Sequence, residues 1–120
     1  MPDTPRFRIR LVFGPDEMIG PGKAELLERI DRTGSIAAAG REMGMSYKRA
    51  WQLVEVMNAM FRAPLVDRIR GGAKGGGATV TVTGHAVLAA YRGVETEAIH
   101  AGEAHIATLM DLLRAADEGE

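Results

Sequence analysis

The sequence predicts a single α+β domain, mainly α, on three observations. Helical spacings with clear start and stop residues run from position 20 to about 62. Two short, alternating, β-branched segments flank a glycine run. An apolar helical periodicity then fills the chain from Gly84 to about Ala116. The chain has 120 residues, the usual size of one domain. It is 46% hydrophobic with a net charge of −1, which argues against disorder. No run of about 18 apolar residues is present to cross a membrane. No Cys is present for a disulfide framework or zinc ribbon. The start, Met-Pro-Asp-Thr-Pro, has no apolar core of a secretory signal, so a cytoplasmic protein is expected.

Residues 6–13 alternate, with Phe7, Ile9 and Leu11 on one face and Arg6, Arg8 and Arg10 on the other. They predict a half-buried strand whose arginines keep its outer face wet, closed by Gly14-Pro15-Asp16. Gly20-Pro21-Gly22 opens a first helix with Leu26, Leu27 and Ile30 at helical spacing, stopped by Gly34. Ser35 is a natural N-cap for a short second helix, Ile36 to about Met43. Ser46 caps a third, about 47–62, which closes before Pro64. The two helices meet across Gly44-Met45-Ser46, the sequence form of a helix-turn-helix. Ala37, Ala38, Ala39 and Gly40 allow a close crossing, though any αα-corner would read alike.

Residues 65–70 and 78–83 predict a β-hairpin around the loop Gly71-Gly72-Ala73-Lys74-Gly75-Gly76-Gly77. Three helices followed by a hairpin is the winged-helix order, and strand 6–13 could add to the hairpin as a third. From Gly84 on, Val87, Tyr91, Val94 and Ala98, then Ile106, Leu109, Leu113 and Ala116, recur at helical spacing. Gly102 between them is expected to kink or break the helix. So short a chain has little core to cover this stripe, so a homodimer through a long C-terminal helix is expected. The competing reading packs it back on its own domain. Residues 1–84 are thus assigned to the winged helix-turn-helix and 85–120 to a helical dimerisation segment of the same domain.

Charge is unevenly distributed. Residues 1–92 carry 14 Lys/Arg against 9 Asp/Glu, and residues 93–120 carry 1 against 7. A basic middle with an acidic tail suits a polyanion-binding surface. On a wheel of the third helix, Ala50, Leu53, Val54, Met57, Met60 and Phe61 form a core arc. Lys48, Gln52, Glu55 and Ala59 lie opposite, with Tyr47, Trp51 and Asn58 on one flank and Arg49 on the other. The outward N-terminal face, Ser46, Tyr47, Lys48, Arg49, Trp51 and Gln52, suits a major groove. Lys and Arg donate to guanine or phosphate, and Gln pairs with adenine. For Tyr47 and Trp51, partial burial against the core is the favoured reading over base contact. Ser35 at the second helix start, and Arg70, Lys74, Gly75 and Gly76 in the wing, complete the candidate DNA-binding set. Glycines let a backbone pass close to phosphates, but the loop lacks the Lys-Ser/Thr of a nucleotide phosphate loop.

Catalytic and metal constellations are missing from the pattern. His100 and His105 are five apart, about 140° around a helix, and do not face one metal. No Gly-x-Ser-x-Gly or His-Glu-x-x-His occurs. A non-enzyme without cofactor or metal is expected.

Gly34-Ser35-Ile36, Gly44-Met45-Ser46-Tyr47-Lys48-Arg49-Ala50-Trp51, Met57-Asn58, the glycine run 71–77 with Ala78, and Thr83-Gly84 together resemble the N-terminal DNA-binding domain of ModE-type molybdate-responsive repressors. The resemblance covers roughly residues 20–115. It implies a winged helix related to that of LysR-type regulators, a dimer, and double-stranded DNA with a near-palindromic operator as partner, with no membrane involvement. Two departures are Ala73 inserted before Lys74 and a predicted N-terminal strand in place of the family's helix. A third is length: full-length members carry C-terminal molybdate-binding domains. The expectation is therefore a stand-alone, DNA-binding transcriptional regulator related to molybdenum metabolism, without those domains. The other reading is a winged-helix interaction module that dimerises and docks a protein partner.

Overall fold

The computed structural model describes residues 5–69 and 77–114. Nine elements follow in the order ββαααββαα. The first helix, α1, spans Pro21–Thr33. Pro at its first turn is preset for a helix and lacks only an N–H that would have no helical partner there. Gly34 ends it in the left-handed region (φ 72°), donating its N–H to Ile30 O at 2.8 Å. Then α2, Ile36–Glu42, and α3, Tyr47–Met60, follow in quick succession. Ser35 Oγ accepts from Ala38 N at 3.0 Å, and Ser46 Oγ from Arg49 N at 3.1 Å. Both predicted caps are therefore used as caps.

At the N-terminus the structure corrects the expectation. One strand over 6–13 is replaced by a small hairpin, β1 (Leu11–Gly14) and β2 (Glu17–Ile19), with Leu11 opposite Ile19 and Val12 opposite Met18. Pro15-Asp16 forms its turn, with Gly14 paired opposite Glu17. The pair forms its own two-stranded sheet and does not join the wing. Residues 6–10 still alternate in burial: Phe7 and Ile9 are half-buried and the three arginines exposed. A long-range bond pins the segment, with Tyr91 Oη donating to Ile9 O at 2.6 Å.

The predicted wing strands are β3, Val66–Ile69, and β4, Gly77–Val80. They pair antiparallel, Val66 opposite Val80 and Arg68 opposite Ala78. The second strand ends before Thr83, as read from the alternation, because Thr81 turns the chain. Its Oγ1 accepts from Gly84 N at 2.9 Å and caps α4, Val82–Ala101. The predicted long C-terminal helix is in fact two, α4 and α5 (Glu103–Leu112), separated by Gly102.

The main core joins Leu26, Leu27 and Ile30 of α1, Ile36 and Ala39 of α2, and Ala50, Val54 and Met57 of α3. Leu65, Val66, Ala78 and Val80 close it from the wing side. A smaller cluster of Ile19, Ala24 and Tyr91 lies beneath the N-terminal hairpin, and Val87 and Leu88 touch both clusters. Tyr91 is only 2% exposed. Two members of the expected dimer stripe, Val87 and Tyr91, are thus engaged inside the chain's own core. The first half of α4 is further fixed to α1 by Arg92, which donates to Glu28 through Nε (2.9 Å) and Nη2 (2.8 Å) and to Glu95 at 2.7 Å. Hydrogen bonding to Glu28 holds the Arg92 pKa above its ordinary value.

Candidate nucleic-acid interface

The corner between α2 and α3 is set by two glycines. Gly40 is buried where α2 crosses α3, and a Cβ there would lie 2.9 Å from Ala50 Cβ. Gly44 turns the chain with φ 73°, a conformation costly for other residues. Met45 N then donates back to Gly40 O at 2.9 Å. This close crossing buries Ala50, Val54 and Met57 of α3 against the core. The opposite face is left outward, and Ser46, Tyr47, Lys48, Arg49 and Gln52 are all exposed there. No ion pair among the described residues engages Lys48 or Arg49. Arg29 and Arg32, by contrast, pair with Glu42, and Arg92 pairs with Glu28. The cations at the start of α3 are therefore available to an external anion.

Trp51 is half-buried, as partial burial of the aromatics implied, whereas Tyr47 is exposed and departs from that reading. The Arg68 guanidinium carbon of β3 sits 5.0 Å from its ring centroid. This contact links the outward face of α3 to the wing. Ser35 is half-buried at the start of α2 and acts there as a cap.

Sequence reasoning missed what holds the wing against α3. Asn58 Oδ1 accepts from Leu65 N (2.8 Å) and Val66 N (3.1 Å), while its Nδ2 donates to Val66 O (3.0 Å). One side chain thus occupies the backbone of β3's entry on both donor and acceptor sides. Thr81 adds a second tie, its N donating to Leu65 O (2.9 Å) and its Oγ1 to Pro64 O (2.7 Å). Ala78 N donates to Gly34 O at 2.9 Å, joining β4 to the end of α1. The available signal was the lone polar residue in the last stretch of the helix, Val56 to Met60, six residues before Pro64. Replacing Asn58 with Ala should leave two backbone N–H groups and a carbonyl without partners. A loss of about 1–3 kcal/mol is expected in urea unfolding, with the helix content of the folded state unchanged. A variant as stable as wild type would show that water replaces the amide without cost.

Arg70, Lys74, Gly75 and Gly76 of the predicted wing lie outside the described residues. Of the expected dimer stripe beyond Tyr91, Val94, Leu109 and Leu113 are exposed and Ala98 and Ile106 half-buried. Ile99 and Leu112, not anticipated, are exposed beside them. Among the described residues no group of three or more His, Cys, Asp or Glu could hold a metal ion, and no helix is long and apolar enough to cross a membrane.

The helix-turn-helix lies inside a region with known relatives. Residues 22–85 match the family described as bacterial regulatory helix-turn-helix protein, lysR family. The chain belongs to this LysR-type helix-turn-helix family. Among curated proteins, it is 48% identical over 77 residues to the molybdenum-pterin-binding protein MopB of Rhodobacter capsulatus, covering 64% of this chain and 28% of that protein. It is 38% identical over 94 residues to the molybdenum transport protein ModE of Azotobacter vinelandii, 77% of this chain and 35% of that protein. Against the DNA-binding transcriptional dual regulator ModE of Escherichia coli K12 it is 38% identical over 71 residues, 59% of this chain and 27% of that protein. The chain thus matches about a third or less of the length of these relatives. The LysR-type region is of the ModE kind, as the motifs from Gly34 to Gly84 implied.

Proposed function

We propose that the protein is a sequence-specific transcriptional regulator that binds double-stranded DNA through the N-terminal half of α3. The observation that carries this reading is the outward face of Lys48, Arg49 and Gln52, whose two cations have no internal partner among the described residues. Lys48 and Gln52 stand four residues apart, one above the other, within reach of neighbouring base edges. Ser46, Tyr47, Trp51 and Ser35 build and flank the helix starts, and Arg70, Lys74, Gly75 and Gly76 supply backbone contacts from the wing connection. Regulated genes in molybdenum handling are the reading that the relatives' names support, and a DNA-binding regulator acts in the cytoplasm, where the DNA is. The similarity reaches only part of those proteins, so their other activities are not carried over.

One recognition helix reads too few base pairs to single out a genomic site. A homodimer through α4 and α5 doubles the contact and makes the operator near-palindromic, with half-sites about one helical turn apart. Selection of bound duplexes from a random pool tests the reading directly and should yield a near-palindrome. Lys48→Ala and Gln52→Ala should each lose about 1–3 kcal/mol of discrimination at one base step of the selected site, with little change in thermal stability. Wild-type affinity and specificity in both variants would remove α3 as the reader.

A further inference from the structure

On the flank of α3 away from Trp51 and Arg68 lies an open cavity of about 620 Å³. Four of its lining residues are cations, Arg8, Arg10, Lys23 and Arg49, and none is acidic. They come from three separate places: the N-terminal segment, the start of α1 and the start of α3. Their positions are built by the fold. Lys23 Nζ is fixed by donating to Met18 O at 2.7 Å. The Arg10 side chain lies over Gly20, where a Cβ would meet its Cγ at 3.3 Å. The Tyr91 bond to Ile9 O holds the backbone between Arg8 and Arg10. Among the described residues, no salt bridge engages any of the four. Burial above all, and then the neighbouring Arg49 charge, lowers the Lys23 pKa.

We propose that Arg8, Arg10, Lys23 and Arg49 form a second phosphate-binding surface, which takes phosphodiester groups of duplex DNA on the side of the recognition helix opposite the wing strands. The inference rests on the DNA-binding reading above. Arg49 belongs to both the outward face of α3 and the cavity, so a duplex lying on α3 runs past the other three cations. Guanidinium groups match phosphate oxygens in pairs, and such contacts set position and affinity without reading bases. The alternating arginines that keep the N-terminal segment soluble then have a second role as a backbone grip.

The test uses the whole chain, fluorescence anisotropy with mixed-sequence labelled duplexes, and a salt titration. Arg8→Gln/Arg10→Gln should weaken binding to all duplexes alike and flatten the log–log salt slope by about two. Arg8→Lys/Arg10→Lys, which keeps both charges, should retain most of the slope, and circular dichroism should show both variants folded. Wild-type slope and affinity in the Gln variant, with wild type binding duplex in a salt-dependent manner, would overturn the site and leave the DNA reading standing. If wild type binds no duplex, the DNA reading fails and this surface loses its partner with it. Saturable binding of inorganic phosphate that the Gln variant abolishes, with an unchanged DNA slope, would overturn the proposal in favour of a small free anion.

Discussion

Gly84→Ala should be among the most damaging single-methyl changes in the molecule. A Cβ at this position would lie 2.3 Å from Leu65 O and 2.7 Å from Val80 Cγ1. The carbonyl has little room to retreat. Leu65 O already accepts from Thr81 N, and Leu65 N is held by Asn58. Relief therefore requires α4 to move off the wing strands, breaking the Thr81 cap at Gly84 N. Overpacking of this kind costs about 1–3 kcal/mol or more, and a rigid backbone neighbour places it at the upper end. A fall on the order of 10 °C in the thermal midpoint is expected. Gly93, in the same helix with nothing within 4 Å of its would-be Cβ, supplies the opposite sign. There Ala should stabilise by up to about 1 kcal/mol, from helix propensity alone. Differential scanning calorimetry of the two variants checks both. A Gly84→Ala protein as stable as wild type would mean that the α4–wing contact is looser than the structure has it.

Leu109→Asp/Leu113→Asp should convert the proposed dimer into a folded monomer that binds its operator poorly. The argument starts from α5, which has ten residues and buries none of them. Helices shorter than about 12–15 residues are marginal alone in water. Leu109, Leu112 and Leu113 are 65%, 77% and 66% exposed. Burying one such side chain is worth about 1.5–3 kcal/mol, so covering several from two copies is a sufficient drive for pairing. The helix-turn-helix core draws on no residue beyond α4, so the two Asp residues leave it intact. Sedimentation at micromolar concentration should show wild type as a dimer and the variant as a monomer of native helix content, less that of α5. A wild-type monomer that binds one specific site tightly would sink the dimer.

Much of the helical frame was legible in the sequence because its signals act over one or two turns. Ser35 and Ser46 cap the residues three ahead of them, and Gly34 and Gly44 adopt the positive φ that few other residues tolerate. The apolar arc of α3 buried Ala50, Val54 and Met57, and the arc's complement left Lys48, Arg49 and Gln52 outside. At the end of the wing two local signals competed. The β-branched alternation of residues 78–83 favoured a strand, and the Thr81 cap won at Val82 because it also ties to Pro64 and Leu65.

By itself, then, the sequence determined the helix-turn-helix, its outward face and the ModE-like motif set. Tertiary structure alone decided the rest. The segment before the N-terminal hairpin docks on α4, where a Tyr91 hydroxyl 82 residues away holds Ile9 O. That docking turns two solubilising arginines into the wall of a basic cavity beside Arg49. Asn58 fastens the wing and Val87 and Tyr91 leave the dimer stripe, each through contacts between separate elements. Periodicity records which face of an element is apolar, whereas the partner of that face depends on how elements distant in the chain come together.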